Sequence, residues 1–548
     1  MGDKRFKDPI YGYVEIEEDL ITQVVDTAVF QRLRDIIQTS YSPLYSSAVH
    51  NRFVHSIGVY HLGKIASKAF YNSFQNQSLH NIPDMKQYIK IFELACLLHD
   101  VGHAPFSHTG EQFYLLKGKR IRLHDMMIQL SCDKELEKDI EDNSYKAAPH
   151  ELMSVIVALK EFSAIIPDER KGFFARCITG YKYSEKNNVQ KSCLNCLIEI
   201  LNSKIIDVDK MDYLIRDSYM AGFNTTSIDY VRLLESICLV EREGILKICF
   251  NKHAVSAIEN VVYAHDAERK WTQNHPTVLY EAYVIEHAME KIMEQILETE
   301  QLTEDFLSVE GVNIKKLGKV SLMGDSDFLY LMKNLDEGNL AKEYYNRNSR
   351  KHPLWKSEAE FQAIFKDQED KLSLIEGEFE ELKKLLKNQG LPFVMNERAL
   401  NESKKERIRL QRKIKKAVGL ERQKLSATLE ANKIHIEWLQ IFEQFAKARG
   451  IDFEFLVIYA DQFNSGFRKP EFGDIEIIFP ELKSPCKFKE VSNILTSQDS
   501  KAEKFFFIYY NRKSKTELPI SDLIQKMLEV ANKMLNLENR NAIEQRLK

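Results

Sequence analysis

Hydrophobic positions recur with helical spacing over most of the first three hundred residues. Val25, Val29, Leu33 and Ile36 fall on one stripe, and Ile57, Tyr60, His61 and Ile65 on another. Residues 88–98 are apolar on most sides, which predicts a buried helix. Before these, Tyr13, Val14, Glu15 and Ile16 alternate as a short extended entry, with Asp8-Pro9 and Gly12 as turn signals. A β-like pair is predicted around 236–250, turning at Gly244. Helices continue through 300–360, and 370–448 reads as helical and highly charged. The pattern then changes. Residues 453–459, 474–479 and 505–510 read as strands rich in aromatic and β-branched side chains, and 518–536 as a closing amphipathic helix. The expected fold is mainly α, with a helical core, a helical extension and a small carboxy-terminal α/β segment.

Composition narrows the class. The chain has 548 residues, which at roughly 100–200 residues per domain predicts two to four domains and a core large enough to need no disulfides. Hydrophobic content is 44% and charged content 29%, as in ordinary globular proteins. A formal charge of −4 gives no global field toward nucleic acid or membrane, so such a role requires a local patch. Among eight cysteines only Cys193 and Cys196 form a C-x-x-C pair, read as two reduced thiols on one helix turn rather than a zinc site. The first residues are charged and lack an apolar signal region, and no apolar run approaches membrane-spanning length. A cytoplasmic location and no membrane partner are expected.

The chemistry gathers around Leu97-Leu98-His99-Asp100-Val101-Gly102-His103-Ala104-Pro105-Phe106-Ser107-His108. His99-Asp100 ends the buried apolar helix, and burying an ionisable pair without a partner costs roughly several kcal/mol. A metal or a very good ion pair offsets that cost. Gly102 and Pro105 break the helix, so further histidines can bend back toward the same point. His55 opens another helix, and Asp209 follows the apolar residues Ile205 and Ile206 at the edge of a core. His55, His99, Asp100 and Asp209 together offer two neutral nitrogens and two anionic oxygens, a set that leaves room for water and phosphate on a hydrolytic metal.

With Phe30-Gln31-Arg32-Leu33-Arg34, His50-Asn51-Arg52-Phe53-Val54-His55-Ser56, His150-Glu151 and Asp207-Val208-Asp209-Lys210-Met211-Asp212-Tyr213 ending in Arg216-Asp217, these motifs stand in an order that resembles the HD-domain deoxynucleoside triphosphate triphosphohydrolases, the dGTPase-like enzymes. The resemblance covers about 8–295 and no SAM domain is expected ahead of it. The residue pattern sets a charged helical extension over 301–450 and a small oligomerisation or regulatory domain over 451–548, and the resemblance implies an HD phosphohydrolase core over 1–300. It implies one divalent metal (Mg, Mn, Fe or Zn) on His55, His99, Asp100 and Asp209, with a second Mg accompanying the nucleotide. His108, Glu111 and His150 match the catalytic positions, with Glu111 standing where the family has the shorter Asp. Gln38, Arg52, His103, Lys210, Tyr213 and Asp217 match groups around the triphosphate and sugar. Asp26, Gln31 and Arg34 match a trio that binds a regulatory guanine nucleotide in oligomeric members; the same trio also fits a solvated helix with an i, i+8 charge pattern.

The implied activity is hydrolysis of dNTP, with dGTP a natural first substrate, to deoxynucleoside and inorganic triphosphate, by a homo-oligomer of two to six chains under nucleotide activation. Control of nucleotide pools and antiviral depletion of dNTPs both fit. The alternative is an HD nuclease or phosphodiesterase acting on nucleic acid or a nucleotide signal. The run from Lys404 to Lys424 carries ten Lys/Arg against Glu406 and Glu421. It reads as a nucleic-acid contact, a solvated helix face, or a partner for the acidic stretch 375–382.

Overall fold

The computed structural model describes residues 4–76, 82–141, 146–185, 188–223, 227–334, 339–388, 393–460, 466–482, 484–495, 505–512 and 518–547. The fold is mainly helical with small sheets. The chain divides into two compact units. One comprises Met1–Gln273, Glu281–Ala341 and Asn464–Lys501; the other comprises Asn274–Tyr280, Lys342–Phe463 and Ala502–Lys548. Within the first unit a strand, Glu476–Ile478, runs parallel to Ile245–Asn251 with Ile477 opposite Phe250.

The first unit begins with a hairpin, Lys4–Asp8 against Gly12–Ile16. Its core is built on the helices Arg52–Asn76, Met85–Leu98, Pro149–Glu161, Val189–Leu201 and Val208–Ala221. Met85–Leu98 buries Ile91, Phe92, Leu94, Ala95, Leu97 and Leu98, so it has no solvated face at its carboxy end. Val208–Ala221 crosses Arg52–Asn76 at Gly58, where an added Cβ would sit 2.0 Å from Asp212 Oδ1. Only glycine permits that approach. The predicted pair at 236–250 is the antiparallel hairpin Ile237–Arg242 with Ile245–Asn251. Its two turn residues, Glu243 and Gly244, have φ of 53° and 77°, as a two-residue primed turn requires.

Two local predictions differ from the structure. The stripe from Val25 to Ile36 forms short turns rather than one helix: after a π turn at Ile21–Val25, Ala28–Gln31 is one α turn and Arg32–Asp35 a 3-10 turn. Thr27 interrupts them by accepting from Phe30 N, a hydrogen bond that starts a new helix. Within 300–360, the hairpin Val312–Ile314 with Gly318–Val320 stands where helix was expected, and Gly318 supplies the φ of 78° that its turn needs.

In the second unit, Phe506–Tyr510 pairs with Glu454–Tyr459 and His352–Pro353, and Val394–Asn396 adds the far edge. The helices are Glu369–Asn388, Glu397–Ile414, Gly419–Arg449 and Ser521–Leu547. Phe379, Trp438, Phe442, Phe455 and Phe506 meet in an aromatic core. Glu397–Ile414 and Gly419–Arg449 form a helical hairpin along a seam of Leu400, Ser403 and Leu410. No helix among the described residues is long and apolar enough to cross a membrane.

Candidate active site

His55 lies on the first turn of Arg52–Asn76, and His99 and Asp100 follow the last turn of Met85–Leu98. Asp209 lies on the first turn of Val208–Ala221, whose N-cap Asp207 accepts from Lys210 N at 2.6 Å. Three helix ends thus converge. His55, His99 and Asp100 are buried, each with a ligand atom within 4.8 Å of the others, the spacing of a metal site. Asp209 Oδ1 lies 3.1 Å from His55 Nε2 and 3.6 Å from His99 Nε2, and its side chain is 37% exposed.

The outer nitrogens of both imidazoles are tied. His55 Nδ1 donates to Asp212 Oδ2 at 2.7 Å, and His99 Nδ1 to the Cys96 carbonyl at 2.9 Å. This leaves the two Nε2 atoms facing each other at 3.3 Å. With Nδ1 carrying the proton of a neutral imidazole, both Nε2 atoms present lone pairs, an arrangement that calls for a cation between them. Asp100 and Asp209 add anionic oxygen, and the donor set suits a divalent metal. Burial alone would lower the His55 pKa, but with no cation bound, hydrogen bonds to Asp209 and Asp212 outweigh burial and push it up to about 9, so a bound cation would displace the proton that Nε2 otherwise shares with Asp209. Burial would raise Asp209, yet the two histidines hold it well below the usual carboxylate range.

A second cluster lies beside the first. His103 stacks on His150 with ring centroids 4.4 Å apart, and His108 stands edge-on to both. Glu111 joins them: its Oε2 accepts from His150 Nδ1 at 2.5 Å, and Oε1 lies 3.5 Å from His108 Nδ1. Burial opposes ionisation of Glu111, but its bonds to His108 and His150 outweigh it and keep the carboxylate charged. The same contact overcomes burial at His150 and pushes it up to about 9. His108 is 64% exposed, whereas His103 is fully buried with neither ring nitrogen hydrogen-bonded. Burial, then the Arg52 charge, hold His103 well below its ordinary pKa, so it is neutral.

Arg52 spans from Asp100 Oδ2 (2.7 Å) to Ser107 Oγ (2.9 Å) and the Gln38 carbonyl (3.4 Å). Lys210 Nζ donates to Asp207 Oδ2 at 2.7 Å and the Ser203 carbonyl at 2.8 Å, leaving one of its three donors free for a ligand. Tyr213 follows on the same helix, partly buried, its hydroxyl pKa raised by that burial. Asp217 Oδ1 lies 2.7 Å from His50 Nε2, and Gln38 Oε1 is buried without a partner. The trio of Asp26, Gln31 and Arg34 is only partly brought together. Arg34 Nε donates to Gln31 Oε1 at 2.8 Å, but Asp26 pairs with Lys4 at 3.3 Å, because the turn at Thr27 breaks the helix that the i, i+8 spacing assumed. Cys193 and Cys196 are buried and unpaired.

Several positioning residues escaped the sequence reading. Asp212 accepts from Tyr11 Oη (2.7 Å), Arg216 Nε (2.8 Å) and His55, and Arg216 also reaches Asp8 at 2.9 Å. The signal was present: Asp212 is three residues after Asp209, on the same helix face. Arg32, within a quoted motif, donates to the Val101, His103 and Met323 carbonyls at 3.0, 2.9 and 2.9 Å and fixes the loop from His99 to His108. Asp325 accepts from Phe106 N at 2.6 Å and Ile37 N at 2.8 Å. Phe106 and Ser107 sit in the left-handed region at φ of 58° and 53°, a strained turn that these contacts hold. Glu268, buried against Tyr41 Oη at 2.6 Å, has its pKa pushed up to about 8 by burial and the nearby Asp217 charge.

Comparison with known proteins places this geometry. No family model matches the chain. A deoxynucleoside triphosphate triphosphohydrolase SAMHD1 homolog of Dictyostelium discoideum is 33% identical over 274 residues, 48% of this chain and 46% of that protein. The deoxynucleoside triphosphate triphosphohydrolase SAMHD1 of Danio rerio is 29% identical over 278 residues, 50% of this chain and 42% of its own. An uncharacterized protein of Mycoplasma genitalium is 30% identical over 263 residues, 46% and 52% of the two chains. The chain spans about half the length of the curated relatives it matches. A crystal structure of a hypothetical protein from Aquifex aeolicus is similar in fold at a TM-score of 0.51, covering 96% of this chain and 100% of that one at 18% identity. Over about half of its length, the chain is similar to proteins named deoxynucleoside triphosphate triphosphohydrolase SAMHD1.

Proposed function

We propose that this chain hydrolyses deoxynucleoside triphosphates to deoxynucleoside and inorganic triphosphate. The observation that carries the proposal is the pair of buried imidazoles, His55 and His99, locked at Nδ1 and facing each other at Nε2 beside Asp100 and Asp209. These four residues would hold one divalent ion. Bound there, the ion supplies positive charge and activates water near neutral pH.

The remaining chemistry belongs to the chain. A nucleoside triphosphate brings about four negative charges, so phosphate binding needs fixed cations and donors. Arg52 and the free donor of Lys210 serve that end, arginine being suited to paired phosphate contacts. Glu111 faces His108 Nδ1, which turns His108 Nε2 toward solvent, where it can deliver a proton to the leaving oxygen or take one from water. His150 holds Glu111 charged, and neutral His103 lies beneath them as a stacking floor. Gln38, Tyr213 and Asp217 line the sugar side, Tyr213 disfavouring a 2′-hydroxyl by packing. We further propose activation by a guanine nucleotide through Gln31, Arg34 and Asp26 in an oligomer, and a second Mg arriving with the nucleotide.

Product analysis over the four dNTPs, singly and paired with each NTP, with and without Mn²⁺, tests the reading. Deoxynucleoside and triphosphate in equal amounts are expected, lost in His99→Ala. If single-stranded DNA shortens while no triphosphate forms, the HD nuclease reading replaces this one.

A further inference from the structure

The hairpin formed by Glu397–Ile414 and Gly419–Arg449 has no role in the chemistry above, yet it concentrates charge and apolar surface in one place. From 404 to 424 it holds ten Lys/Arg and two Glu, a local charge of +8 in a chain of net −4. Two of the cations, Lys405 and Arg409, pair with Glu402 and Glu406 of their own helix, and the other eight have no carboxylate within ion-pair distance among the described residues. All ten are exposed. The acidic stretch 375–382 does not answer them: Glu378 bonds His435 and Glu381 pairs with Lys384.

The turn of the hairpin is the second observation. Val418 is 80% exposed and Leu420 68%, the two most exposed large apolar side chains among the described residues. Gly419, at φ of 58°, makes the turn between them. Lys413, Lys415, Lys416 and Arg422, all exposed, flank this apolar tip in the sequence. Single exposed apolar residues need no explanation, but a pair at the apex of a cationic arm does.

We propose that this hairpin docks on an anionic lipid bilayer, the tip inserting Val418 and Leu420 at the headgroup level while the flanking cations meet the lipid charge. Interfacial binding of this kind combines buried apolar area with electrostatic attraction. A nucleic acid fits less well. Residues 397–431 contain no aromatic side chain on which bases could stack, and phosphate contacts along a duplex would leave Val418 and Leu420 in water.

The test is co-sedimentation of the full chain with vesicles of phosphatidylcholine, with and without about one third phosphatidylserine, alongside anisotropy with a fluorescent DNA duplex and a single strand. Binding is expected only with phosphatidylserine and should weaken at high salt. Val418→Asp with Leu420→Asp, and separately Lys413→Glu with Lys416→Glu, should each reduce it about tenfold or more with dNTP hydrolysis unchanged. These positions are solvent-exposed, so folding is not at stake, and circular dichroism checks it. Failure to bind phosphatidylserine vesicles overturns the proposal. So does binding indifferent to the Val418 and Leu420 changes, or retention of DNA alone.

Discussion

Around His55, the charged groups Asp8, Asp100, Asp212 and Arg216 are each less than a tenth exposed, and every one meets a named partner. Along 404–424, every Lys and Arg is in water, and the few ion pairs are one helix turn apart. The two regions use the same residue types for opposite ends. In the first, low dielectric makes each charge costly unless it is matched, so removing one member strands the others. In the second, water screens the charges, so individual members matter little and only their sum acts at a distance. If this contrast holds, substitutions of equal chemistry have very unequal effects in the two regions.

The largest effect belongs to Asp209. Asp209→Ala removes one anionic ligand and leaves two facing imidazoles, and dNTP hydrolysis should fall on the order of 1000-fold. Metal content per chain, measured by elemental analysis, should fall with it. Full metal occupancy with unchanged activity would separate Asp209 from the site.

Next comes Asp212, which touches no predicted ligand atom. Asp212→Asn keeps the shape but weakens the acceptor that orients His55. Metal affinity or activity should drop about 10–100-fold. The bond to Arg216 loses its charge as well, so chemical denaturation should report about 1–3 kcal/mol of lost stability. Activity lost without any change in stability or metal binding would argue against a positioning role.

How much of this was legible beforehand follows from the range of each interaction. The helix ending at Leu98, the 236–250 hairpin and the strands at 454–459 and 506–510 were legible, because periodicity and turn residues are local signals. So was the set of His55, His99, Asp100 and Asp209 as candidates, through motif order. Tyr11, which meets Asp212 across 201 positions, and Arg32, which holds the His99–His108 loop, were not. Such contacts depend on how helices cross, and no spacing rule encodes the crossing at Gly58. The parallel pairing of Ile477 with Phe250 was hidden for the same reason. The false helix at 25–36 has another cause. Its apolar spacing is helical, but Thr27 caps a new turn within it.

The Glu111–His150 pair is intermediate in burial and should be intermediate in effect. His150 is raised from 6.5 to about 9 by Glu111, so its contribution is fully present below about pH 6.5 and is lost as pH rises through about 9. Glu111 is depressed, so its contribution is present above its ordinary range and is lost only in acid. Between pH 6 and pH 9.5 the urea midpoint should therefore fall by the equivalent of at most about 3 kcal/mol. Glu111→Gln should flatten that slope. A slope unchanged in Glu111→Gln would place the titration elsewhere.

The smallest effect should come from Glu406, which pairs with Arg409 one helix turn away at 3.4 Å, whereas Asp212 holds Arg216 at 2.8 and 3.0 Å. Arg409 is 61% exposed, so water already solvates it when the carboxylate is gone. Glu406→Gln should shift stability by no more than about 0.5 kcal/mol, and dNTP hydrolysis should not move. The net charge of 404–424 rises by one all the same. If the hairpin acts through its summed field, the same variant should bind phosphatidylserine vesicles slightly more tightly, and more so at low salt. A stability loss comparable to that of Asp212→Asn would mean that the hairpin is held by specific pairs, and the contrast between the two regions would collapse.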